Sequence, residues 1–341
     1  MNKGYFYILF ATLFFSSMEV ALKIVATDFN PLELNFLRFV IGTVVLWPMA
    51  IRSLKEKNLH VTKQHWPFFL LTGFLCVVVS MTFFQLAIMY AHASIVAILF
   101  SCNAIFVIPL AHVFLKQRMT WVSVGSLALS VVGMLFIVNP QHLPNVVGVT
   151  LSLLAAVTFA LYGIVGQMGN RKYGFTGISL TFFSFIAGCI EMVVFMAFTH
   201  IPAVATTFTH MGLANFANIP FVQGISVHTL PALIYLGIFV TGFGYAFYFM
   251  AMEETSAATA SVIFYIKPAL APILAMAVLG EVIHENTVIG IMFIIAGSAL
   301  TFAAAGIDRR IIRNTRAYMR HLRFQRYLRH HHGQRHQHSY Q

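Results

Sequence analysis

Hydrophobic positions in this chain run continuously rather than alternating, for about twenty residues at a time before polar punctuation breaks them. Three long stretches, 64–115, 119–170 and 192–252, contain no Asp, Glu, Lys or Arg. The hydrocarbon core of a bilayer takes about 20 apolar residues of helix to cross, so each of the first two stretches holds two crossings. Lipid offers backbone groups no hydrogen bonds, which leaves only helices or closed barrels. The lack of period-two alternation selects helices. Punctuation then divides the chain into ten spans, roughly 4–25, 32–51, 67–90, 93–115, 120–139, 146–168, 175–199, 230–252, 256–280 and 286–306. The expected fold is an all-α integral membrane protein.

Composition agrees. Of the 341 residues 59% are hydrophobic and 9% charged, against about 25% charged in soluble domains. That excludes a soluble enzyme, a secreted disulfide scaffold and a disordered chain. The net charge of +11 is no nucleic-acid signal, because nine of the twenty-one basic residues are Arg after position 308 and most others mark short loops. With a cytoplasmic amino terminus, 18 of the 21 fall on the cytoplasmic side and the outer loops hold none, as the positive-inside rule requires. Both termini are therefore expected in the cytoplasm. No cleavable signal peptide is evident, since only Met1–Gly4 precede an apolar run long enough to span. Cys76, Cys102 and Cys189 all lie in apolar runs and read as small buried hydrophobes, not as a disulfide or metal set.

The chain also echoes itself. A shift of 164 pairs Ala87/Ala251, Ala93/Ala257, Phe100/Phe264, Leu110/Leu274, Ala111/Ala275, Leu115/Leu279, Val124/Val288 and Gly133/Gly297. Near the start of each half a shift of 144 pairs Gly4/Gly148, Leu9/Leu153 and Ala11/Ala155. The difference is an insertion that fits the uncharged outer stretch 200–229. The expected units are a first five-helix repeat at 1–140, a second at 144–306 and a basic His/Arg-rich cytoplasmic tail at 307–341. An odd number of spans per half inverts the second relative to the first, the arrangement of secondary transporters with a midplane site between repeats.

Several stretches then carry a resemblance: "KIVATDFNPLELNFLR", with Lys23, Pro31 and Arg38; "LAIMYAHASIVAILFSCNAIFVIPLAHVFLKQRMTW"; and its later echo "MEETSAATASVIFYIKPALAPILAMAVLGE". Over about 1–306 the chain resembles the EamA-type drug/metabolite transporter superfamily of bacterial inner membranes. The resemblance implies ten helices in two inverted halves, with spans 1, 3, 4, 6, 8 and 9 lining a central cavity. Lys116–Gln117 departs from the Gly280–Glu281 of the echo, and the 200–229 loop is a second departure.

Ionisable groups inside lipid usually face a cavity or a partner. Glu19, Lys23, Glu191 and Lys267 qualify. Glu19 and Lys23 are four apart, share a helix face and could pair locally. Lys267 precedes Pro268, which favours a kink. Glu19 and Lys267 are either the charged floor of a substrate cavity or a buried structural ion pair. As a floor, Lys267 would meet a carboxylate, and Glu19 would meet an ammonium or carry a proton. Glu191 is read as structural, and Arg38, matching the family's Arg in span two, as packing or gating. Asn103, which aligns with Lys267, and Gln85 are uncharged candidates. Tyr90, Tyr162, Tyr245, Tyr248 and Tyr265 form a candidate aromatic-polar wall, though individually each reads as core. Glu253, Glu254, Glu281 and Glu285 read as solvated caps, and Gly125, Gly133, Gly290 and Gly297 as close helix contacts.

The tail offers two features. Arg309, Arg313, Arg316, Arg320 and Arg323 recur at helical spacing opposite Ile311, Tyr318 and Leu322, suiting either an amphipathic helix on the anionic inner leaflet or a disordered polybasic segment. His330, His331, His332, His336 and His338 read as a solvated terminus rather than a metal site. No phosphate-binding loop, His-Glu-x-x-His run or Gly-x-Ser-x-Gly elbow occurs, so no cofactor or metal is expected. The expected function is secondary transport of small polar metabolites, amino acids or related zwitterions first, by alternating access. Proton-coupled efflux and facilitated passage both fit. Membrane lipids are the expected partner, and nucleic acid is not. The alternatives are an intramembrane enzyme acting on a lipid and a non-transporting sensor.

Overall fold

A computed structural model describes residues 3–116, 119–138, 145–255, 257–260 and 262–300. Among these, nine helices are long and apolar enough to cross a membrane. They are α1 (Lys3–Ile24), α2 (Pro31–Glu56), α3 (Lys63–Tyr90), α4 (Ala93–Leu115), α5 (Trp121–Val138), α6 (Val146–Tyr173), α7 (Gly177–Thr199), α8 (Leu230–Glu254) and α9 (Val262–Leu279). A shorter apolar helix, α10 (Glu285–Leu300), completes the ten. The expected end of the last span, the 140/144 boundary and the whole tail, with its lipid-facing helix, lie outside the described residues.

Local signals set the ends of these helices. Asn30 caps α2, its side chain accepting from the Leu32 amide at 2.9 Å, with Pro31 at the first helical position. Asn145 caps α6 through the Val147 and Gly148 amides. The α6–α7 turn uses Gly174 at φ +79, a left-handed conformation that glycine adopts without strain, and then Thr176 as the next cap.

The two halves interlock under one rule. The first helix of each half packs on the third and fourth helices of the other: α1 on α8 and α9, α6 on α3 and α4. The third helix of each half likewise packs on the second helix of the other, α3 on α7 and α8 on α2. Even small contacts obey the echo. A Cβ on Gly4 would run into Thr255, and one on Gly148 would lie 2.6 Å from Ala91 Cβ, and both pairs fall on the sequence shifts. The protein is an all-α membrane protein of two inverted five-helix repeats.

Three local departures from regular helix shape the interior. Both third helices widen into π-type turns, at Phe74–Ser80 in α3 and Tyr235–Phe243 in α8; such turns release carbonyls from the regular ladder and recur at functional sites. Helix α4 is interrupted at Cys102, just before Asn103. Helix α9 stays helical through Pro268 and Pro272.

The 200–229 insertion is a built element. It opens with the helix Pro202–His210 and buries Ile219. It docks on the start of α2, where Asn30 Nδ2 donates to Asn215 O at 3.0 Å and the Gly224 amide donates to Glu33 Oε1 at 2.8 Å.

Candidate functional site

Among the described residues four charged side chains lie almost wholly buried: Glu33, which meets the 200–229 insertion at the start of α2, and, deeper along their helices, Glu19 at 1% exposure, Arg38 at 2% and Lys267 at 3%. Glu19 on α1 and Lys267 on α9 come from opposite halves, yet Lys267 Nζ stands 2.7 Å from Glu19 Oε1. The ammonium also lies 5.3 Å from the centroid of the Phe100 ring on α4, within cation–π range. The other Glu19 oxygen, Oε2, has no hydrogen-bond partner.

Arg38, on α2, is held rather than paired. Its Nη2 donates to Asn35 Oδ1 at 3.1 Å, and Asn35 Nδ2 donates to the Val77 carbonyl at 2.9 Å. Val77 belongs to the π-type stretch of α3, so the widened turn supplies the acceptor that fixes Asn35. Arg38 Nη1 reaches Met18 Sδ at 3.7 Å, the guanidinium carbon lies 4.7 Å from the Phe39 centroid, and Nε finds no acceptor. The charges of Arg38 and Glu19 interact across the α1–α2 gap.

Helices α1 and α3 carry further buried polar atoms without hydrogen-bond partners: Ser16 Oγ on α1, and Thr82 Oγ1 and Gln85 Oε1 on α3. Buried polar groups are ordinarily hydrogen-bonded, so each exception calls for a physical reason. Tyr245 meets Phe15 and Phe185 edge-on at 5.3 and 5.2 Å and lies near enough to Arg38 to interact with it. Tyr162 is buried and shares a 3.2 Å hydrogen bond with Thr181.

The other candidates lie at different depths. Tyr90 is 43% exposed at the tip of the α3–α4 hairpin. Asn103 is half-buried just past the break in α4, and Tyr265 is half-buried near Tyr248. Pro268 is buried within α9. Glu191 on α7 is half-buried, with Oε2 lacking a hydrogen-bond partner. Among the described residues no group of His, Cys, Asp and Glu could hold a metal ion.

Two expectations are corrected. Lys23 does not pair with Glu19. Its ammonium donates instead to the Ile88 and Ala91 carbonyls at 2.6 and 2.9 Å, because a lysine near a helix end extends towards the interface and finds the open carbonyls that finish α3. Glu281 is not a solvated cap. Its side chain is 7% exposed and accepts from the Ala93 amide at 2.7 Å, the Ser94 amide at 3.0 Å and Ser94 Oγ at 2.6 Å. It caps α4, a helix of the other half, where its charge meets the positive helix end. Lys23 and Glu281 thus grip both sides of the α3–α4 tip.

Sequence reasoning missed Asn35, the residue that orients Arg38. The available signal was a lone Asn in an apolar span, three residues before an Arg and hence on its face.

A fold of this kind, with charges buried between inverted repeats, defines a membrane transporter scaffold. Residues 2–139 and 146–303 match the EamA-like transporter family, and the chain belongs to it. A relative in Clostridium kluyveri, named only as an uncharacterized transporter, is 34% identical over 89% of this chain and 94% of its own length. A "Probable terminal-alkyne amino-acid exporter" of Streptantibioticus cattleyicolor is 22% identical, over 88% and 93% respectively. A crystal structure 16% identical to this chain superposes with a TM-score of 0.58, covering 90% of this chain and 98% of that one, a likeness of fold alone.

Proposed function

We propose that the protein moves a small polar metabolite of the amino-acid class across the bacterial inner membrane by alternating access, its termini in the cytoplasm. One observation carries this reading: Glu19 of the first half and Lys267 of the second are paired at full burial, while Glu19 Oε2 and Arg38 Nε are buried without hydrogen-bond partners, an arrangement that is costly in a purely structural core. The distribution of Lys and Arg supports the orientation. The name of the Streptantibioticus relative supports the substrate class. A lipid-modifying enzyme would need acid–base groups at one membrane face, whereas these charges are enclosed, and Glu19 and Lys267 pair across the repeats.

Alternating access needs gates, and the two hairpin tips fit that task. Ala91 of α3–α4 rests on the start of α6, and Thr255 of α8–α9 on the start of α1, so each half would close one face over the other. The basic tail would rest on the anionic inner leaflet, and removal of 308–341 should leave flux intact.

The test is flux of an amino-acid panel in proteoliposomes, with and without a pH gradient. Protein-dependent movement of at least one amino acid, lost in a folded Lys267→Met variant, is the expected result. No protein-dependent movement of any panel member overturns the proposal, and full flux in Lys267→Met removes Lys267 from the site.

A further inference from the structure

The buried cluster holds two cations and one anion, and the pairing leaves a definite remainder. Lys267 is answered by Glu19 Oε1 and by the Phe100 face. Arg38 has no carboxylate within 4.0 Å among the described residues; it has one amide oxygen, a distant thioether and a bare Nε. A buried charge without a counter-charge is strongly disfavoured even after relaxation. An arginine so placed and so firmly oriented is half of an interaction.

We propose that the Arg38 guanidinium receives a carboxylate of the transported solute, with Glu19 Oε2 taking the solute's ammonium. The inference rests on the transporter reading and names its substrate more narrowly. Three features select this chemistry. The free Nε–H and the remaining Nη hydrogens form a planar donor edge, which matches the two oxygens of a carboxylate. The unpartnered Glu19 oxygen belongs to a charge that interacts with Arg38, so it repels a second negative group and attracts a cationic one. That disfavours phosphates and dicarboxylates and favours a zwitterion. Finally, Asn35, anchored to the π-type turn of α3, holds Arg38 at one hydrogen while leaving Nε open. Asn35 is a positioning residue, and Arg38, rather than Lys267, is the carboxylate receptor.

The experiment compares leucine, threonine, phenylalanine and glutamine with the carboxamide of each, as ligands of the purified full-length protein, by calorimetry and thermal shift. Proteoliposome flux is measured in parallel. At least one acid should bind wild type tenfold or more tightly than its carboxamide. Arg38→Met should abolish that preference and weaken the acid about 30-fold or more, the size expected when one partner of a buried charge pair is truncated, with Arg38→Lys retaining part of it. The wild-type comparison stands even if Arg38→Met fails to fold. Equal binding of acid and carboxamide, or a preference that survives in Arg38→Met, overturns the receptor assignment, while protein-dependent flux still upholds the transporter reading. Failure of every acid to bind overturns the carboxylate class. Failure of all flux overturns the underlying reading itself.

Discussion

A carboxylate and an ammonium buried 2.7 Å apart support each other only while both are present. Removing one leaves the other as an uncompensated charge, which costs about 3–5 kcal/mol, whereas replacing both with neutral groups is often nearly harmless. Glu19→Gln and Lys267→Met should therefore each lower the melting temperature in detergent clearly, and the double variant should recover most of the loss. Flux separates the two roles left open for the pair: if the pair meets the solute, the stable double variant stays inactive. Full flux there would reduce the pair to helix packing. Charges in apolar runs made Glu19 and Lys267 legible as candidates from sequence. Their pairing was less so, because spacing reveals neighbours on one helix and pointed Glu19 at Lys23, whereas the partner sits 248 positions away on the other half. Asn35 and the open Arg38 edge were hidden for the same reason, as both depend on a carbonyl of α3.

Helix ends and helix contacts set the next scale. The Glu281 carboxylate satisfies two backbone amides and a hydroxyl at the start of α4, and loss of such a cap costs about 1 kcal/mol. In Glu281→Ala, spin labels at His92 and His284 should report a broader, longer distance distribution as the α3–α4 tip loosens. An unchanged distribution rejects the latch. Glycines in the α5–α10 contact give a sharper contrast. A Cβ on Gly133 would stand 2.6 Å from the Gly290 carbonyl, while one on Gly125 would have only Leu300, at 3.7 Å, for company. Gly133→Ala should thus destabilise by about 1–3 kcal/mol, the usual penalty for overpacking, with Gly125→Ala near neutral, as thermal unfolding will read. Equal effects would count against the close crossing. The sequence located all ten spans because apolar length is a direct consequence of bilayer thickness. It could not show the π-type turns of α3 and α8, since their residues look like any apolar helix. It also marked 200–229 only as an insertion, because its docking on Glu33 depends on a distant helix.

At the scale of the whole molecule, the approximate two-fold relation makes the two faces comparable, and the comparison is unequal. Lys23 and Glu281 grip the α3–α4 tip with five hydrogen bonds that involve a charged group, two donated by Lys23 and three accepted by Glu281. Carried through the shifts of 144 and 164 along the sequence, their counterparts are Gln167 and Gln117, both neutral, Gln117 lying outside the described residues. Hydrogen bonds from charged groups are roughly twice as strong as neutral ones, so the face bearing Glu281 should be the more firmly shut of the two when no solute is bound. Under the proposed alternating access, a carrier biased in this way would rest open, or open most readily, towards the side of its amino terminus, and solute would supply the differential affinity that releases the other gate. Spin-label pairs at Tyr5 and Glu253 on the one face, and at His92 and His284 on the other, measure this directly in the solute-free protein. The first pair should give the wider distribution, and a solute of the transported class should widen the second. Equal widths, or a wider spread at 92–284 without solute, would mean that the charged latch does not set the resting state.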